Sequence, residues 1–106
     1  MSWIILVIAG IFEVAWASLL PATKGFTRPV ATVGFLVTLG VSMYLLGVAT
    51  RDIPIGTAYA VWVGIGAVGT FLVGATIKGD PTNPAQLVAM AFLVTSIIAV
   101  KITASA

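Results

Sequence analysis

Neither cysteine nor histidine occurs in the sequence. Disulfides, Cys/His zinc sites and His- or Cys-based catalytic triads are thereby excluded. Charge is scarce too. Five Lys or Arg and three Asp or Glu make up 8% of the 106 residues, against roughly a quarter in an ordinary soluble domain. A net charge of +2, spread thinly, is too small for a phosphate-binding patch, so nucleic acid is not an expected partner. What fills the chain instead is apolar: 60% of residues, with a mean hydropathy of +1.20. In water such a chain would expose too much apolar surface to remain monomeric. The lipid bilayer is the solvent that this composition fits.

The few charges divide the chain into four apolar runs. Residues 2–20 carry only Glu13, residues 29–50 and 55–77 carry no charge, and residues 85–104 carry only Lys101. Between them stand turn-rich segments: 21–28 with Lys24, Gly25 and Arg28; 51–54 with Arg51, Asp52 and Pro54; and 78–84, Lys-Gly-Asp-Pro-Thr-Asn-Pro. Each run has the roughly 20 residues that a spanning helix needs. The runs are continuously apolar rather than alternating, which disfavours a β-barrel. The reading is an all-α integral membrane protein, one domain of four transmembrane helices, with Pro29 and Pro84 in first-turn positions. The connections are too short to recross the bilayer, so consecutive helices run antiparallel. Ala15-Trp16-Ala17 has the spacing of a signal cleavage site, but no basic n-region precedes it and more membrane-spanning sequence follows. A signal peptide is therefore not expected.

Four spans place Arg51 and Lys101 on one side and Lys24, Arg28 and Lys78 on the other. Two against three is almost no bias for orientation. It fits either a single topology chosen on weak cues or copies inserted both ways up.

Glu13 is the anomaly. Twelve residues precede it, which is about 18 Å of helix and places it deep in hydrocarbon. A carboxylate there costs several kcal/mol unless it is protonated or paired. No basic residue lies at a comparable depth, since Lys101 can snorkel to the interface. These facts make Glu13 a proton carrier, a cation site, or both. Leu6, Gly10, Glu13, Trp16 and Leu20 share its face at steps of three or four. Gly10 removes bulk beside the carboxylate and Trp16 offers an indole N–H, whereas Trp3 reads as an interfacial anchor. In the third run, Tyr59 and Trp62 share a face among small residues, and Gly64 and Gly66 weaken the helix enough for a hinge or serve close packing. Ser42 adds a mid-helix hydroxyl whose ordinary partner is its own helix carbonyl.

Glu13 in a first short helix, with the run Pro54-Ile55-Gly56-Thr57-Ala58-Tyr59-Ala60-Val61-Trp62 leading to Gly64-Ile65-Gly66-Ala67, resembles the small multidrug resistance family over the whole chain. Gly10, Trp16 and Ser42, with Phe12-Glu13-Val14 and Gly25-Phe26, are similar to its guanidinium-exporter subtype. The chain departs from the family pattern in the fourth helix, where Ser96 and Ala99 stand in the region of the usual Gly pair, and in the third loop, where Asp80 replaces the common Glu. The resemblance implies an antiparallel, dual-topology homodimer, or a pair of unlike chains. It implies proton-coupled antiport in a prokaryotic inner or plasma membrane, with no enzyme chemistry, metal or cofactor. Protons and guanidinium-type cations would share Glu13. Gly10, Trp16, Ser42, Tyr59 and Trp62 would line the site. Trp16, Ser42 and Trp62 would hydrogen-bond the carboxylate, Tyr59 would switch contacts between states, and Gly64 and Gly66 would supply a hinge. Quaternary ammonium or aromatic cations are the alternative cargo, because aromatic faces attract them without N–H donors.

Overall fold

The computed structural model describes residues 1–104. Four helices follow in order: α1 (Ser2–Leu19), α2 (Pro29–Ala49), α3 (Ile55–Thr76) and α4 (Pro84–Thr103), with a single 3-10 turn at Pro21–Thr23. Their 18 to 22 residues correspond to about 27–33 Å of helix, the thickness of a bilayer core. All four are long and apolar enough to cross a membrane.

The helix ends are built from local chemistry. Pro29 and Pro84 open α2 and α4, where no backbone N–H is missed. Asn83 caps α4 by accepting the Gln86 amide at 2.8 Å. The first loop turns sharply through three consecutive left-handed residues, Lys24, Gly25 and Phe26. Buried Thr23 holds that turn, donating to the Leu20 carbonyl at 2.7 Å and accepting the Phe26 amide at 3.3 Å. Phe26 then packs edge-on against Phe35 of α2.

Packing is uneven. α1 lies between α2 and α3, and α4 touches the rest of the chain mainly through α3. The core gathers at the second-loop end: Leu6 and Ala9 of α1, Leu46 and Ala49 of α2, Ile53 of the connection, and Ala58, Val61 and Trp62 of α3. That end is tied twice more. The Ser2 hydroxyl donates to Asp52 at 2.5 Å, and the Lys101 ammonium lies 4.7 Å from the Trp3 ring centroid. Trp3 thus packs against the end of α4. α4 buries no residue within the chain. Six of its large side chains, Leu87, Val88, Phe92, Val94, Ile98 and Ile102, are exposed, while Ile97 and Val100 are partly buried against the core.

Candidate functional site

Glycines let α1 and α3 approach closely. A Cβ at Gly10 would stand 2.7 Å from Ile65 Cγ2, nearer than side chains pack. One turn further along α1, Glu13 lies against Gly66, where a Cβ would fall on the carboxyl itself. Val14 fills the space over Gly69 in the same way, and Ile97 of α4 fills that over Gly64. α3 is helical without a break through these residues. Each glycine at this contact therefore has a packing partner.

Glu13 is only 8% exposed, and its Oε1 has no hydrogen-bond partner among the described residues. An unpartnered acceptor in so low a dielectric is costly. The remaining free side of the carboxyl faces a groove of about 440 Å³ between α1 and α3, lined also by Ala17, Thr70, Phe71 and Asp80.

The structure places the other expected site residues around a second polar contact. The Trp62 indole N–H donates to Ser42 Oγ at 3.0 Å, and the Ser42 hydroxyl donates to the Ala9 carbonyl at 2.8 Å. Ser42 is fully buried, and its hydroxyl crosses to α1 instead of bonding back along α2. In the helical ladder the Ala9 carbonyl is also the acceptor for the Glu13 amide. This chain thus joins α3, α2 and α1 beside Glu13 but does not reach its carboxylate. Hydrogen bonding of the carboxylate by Ser42 and Trp62, which the resemblance implied, is absent in this conformation because both N–H and O–H donors are already committed. The Trp16 indole N–H is buried without a partner among the described residues. Its ring meets Phe35 edge-on at 5.8 Å and Trp62 at 6.5 Å. Tyr59 stacks at a tilt on Trp62 with centroids 5.6 Å apart, and the residue is 54% exposed. Glu13, Gly10 and Gly66 therefore share the α1–α3 contact, whereas Trp16, Ser42, Tyr59 and Trp62 form a separate cluster, and none of Gly10, Trp16, Ser42, Tyr59 and Trp62 lines the groove that Glu13 borders. Thr70 and Asp80 line the groove with Glu13; the sequence pattern did not mark Thr70, and it marked Asp80 only as a departure from the family pattern in the third loop, not as a site residue.

A buried carboxyl thus lies within a chain of four helices, each long and apolar enough to cross a bilayer, which defines the class as a membrane protein. The sequence model described as Small Multidrug Resistance protein matches residues 1–93. The chain is 48% identical over 103 residues to the guanidinium exporter of Escherichia coli K12, covering 97% of this chain and 98% of the relative. It is 44% identical over 104 residues to that of Salmonella typhimurium LT2, covering 98% and 99%. To that of Citrobacter freundii it is 45% identical over 103 residues, covering 97% and 98%. The chain belongs to the small multidrug resistance family, a multi-pass inner-membrane protein and not an enzyme.

Proposed function

We propose that the protein is a proton-coupled antiporter that exports guanidinium and small substituted guanidinium cations, working as an antiparallel dimer. One observation carries this reading: Glu13, buried in a helix long and apolar enough to span a membrane, with an oxygen that has no partner among the described residues. Guanidinium is planar, permanently charged and rich in N–H donors, and a carboxylate offers it a matching pair of acceptors. Protons compete for the same oxygens. Competition produces exchange when the loaded site opens to either side and the empty, charged site does not. The relatives' guanidinium-exporter names support the choice of cargo.

The dimer is supported by α4, which leaves six large apolar side chains exposed, and by the near-equal charge on the two sides of the membrane. In an antiparallel pair the two copies of Glu13 would share one site and titrate as a unit. Exchange of the two protomers' conformations would then turn an inward-open site outward. Gly64 and Gly66 would let α3 bend during that exchange, and Tyr59, being exposed, is free to change partners.

A second reading, export of aromatic or quaternary ammonium cations, is favoured by the exposed Tyr59 face stacked on Trp62. Proteoliposomes offered guanidinium or tetraphenylphosphonium separate the two. Saturable proton movement driven by guanidinium alone is the expected result. Proton movement driven only by tetraphenylphosphonium would overturn the cargo assignment.

A further inference from the structure

Gly66, Thr70 and Gly74 recur at four-residue steps along one face of α3. A carboxylate rests at each end of this row: Glu13 over Gly66, and Asp80 over Gly74, where a Cβ would fall on Asp80 Oδ2. The third loop folds Asp80 back onto the helix. Gly79 makes the turn at φ 70°, and the Asp80 amide donates to the Gly74 carbonyl at 2.8 Å. The two notches are eight residues apart, about 12 Å along the axis.

Thr70 lies midway. Thr38, Thr76, Thr95 and Thr103 each donate their hydroxyl to the carbonyl four residues back. The Thr70 hydroxyl, like that of Thr32, does not, and its Oγ1 is buried without a partner among the described residues. Glu13, Thr70 and Asp80 line the same groove. Asp80 is exposed, so a hydrated cation reaches it from water. Lys78, the one cation of the third loop, turns its ammonium to the Ser18 carbonyl at the end of α1, 2.6 Å away. It is thereby engaged with α1 and not committed to Asp80.

We propose that Asp80 is a second cation site at the outer end of this groove, which collects guanidinium-type cations from water and passes them along the Thr70 hydroxyl to Glu13. The inference rests on the reading of Glu13 as the inner cation site. A planar cation with N–H donors on every edge is the ligand that such a row suits, because it can release one acceptor while it engages the next. The negative charge at the mouth also raises the local concentration of cations.

The test is guanidinium transport in proteoliposomes at low and high salt. Asp80→Asn removes the charge and keeps the backbone bond to Gly74. Its half-saturating guanidinium concentration should rise about two- to tenfold at low salt, the range for unit charges about 12 Å apart between water-like and protein-like screening. The difference should shrink in about 1 M salt, and Asp80→Glu should restore most of the loss. Thr70→Val should slow transport at both salt concentrations. An Asp80→Asn protein with wild-type half-saturation at low salt, or a Thr70→Val protein with wild-type kinetics, would overturn the proposal while the reading of Glu13 stands. Unchanged transport by Glu13→Gln would instead overturn that reading, and the outer site with it.

Discussion

Replacing Gly66 with alanine adds one methyl group where the Glu13 carboxyl now lies. Two effects oppose one another. Alanine is the better helix former by about 1 kcal/mol, and α3 is plain helix at this point. Against that, the methyl must displace a buried carboxyl or push α1 from α3, and such overpacking costs about 1–3 kcal/mol. If the carboxyl moves, the loss falls on cation binding, about five- to 150-fold at 1.4 kcal/mol per tenfold. Gly40 and Gly47 of α2 are the controls, since a Cβ at either meets nothing within 4 Å. Gly40→Ala and Gly47→Ala should keep wild-type guanidinium affinity and gain a little thermal stability. Titration calorimetry with guanidinium and thermal melts of all three variants provide the comparison. Wild-type affinity in Gly66→Ala, together with a melting temperature raised like those of the controls, would refute the assigned contact between Gly66 and Glu13.

Other consequences follow from the same geometry. Ser42→Ala leaves the Trp62 indole N–H buried without its partner, so thermal unfolding should show a loss of about 1–3 kcal/mol, larger than that of Thr95→Ala on exposed α4. Because protons and guanidinium compete for Glu13, acidifying the side that supplies guanidinium should raise the concentration needed for half-maximal transport, and alkalinising it should lower that concentration; initial rates across a pH series measure this. Lys101→Gln removes the cation over the Trp3 ring, an exposed interaction worth about 0.5–1 kcal/mol. A small fall in melting temperature with transport intact is expected.

The spans were legible because nothing but hydrophobic helix suits runs of this length, and the depth of Glu13 followed from counting residues. Its face was legible too, since Gly10 and Trp16 recur at helical spacing. What stayed hidden was partnership between helices. Ser42 could have bonded its own helix, as Thr38 does, and only the approach of α1 shows the Ala9 carbonyl taking that hydroxyl. Gly64 and Gly66 read as weak points in α3. Their contacts with Ile97 and Glu13 depend on the rotational setting of three helices, which periodicity within one helix does not determine. Thr70 carried no signal, and Asp80 stood out only as an acid in place of the family's common Glu, for a similar reason. A lone threonine in a helix and an acid in a polar loop are unremarkable until the loop folds back and both line one groove.

Antiport as proposed requires Glu13 to hold either a proton or a cation, but not both. Proton release on adding guanidinium to the purified protein, in weakly buffered solution over a pH series, tests this most directly. Saturable release is expected wherever the carboxyl begins protonated, fading as the solution becomes alkaline enough to have emptied it, with none from Glu13→Gln at any pH. Guanidinium binding without proton release at every pH, or the same release from Glu13→Gln, would contradict the account.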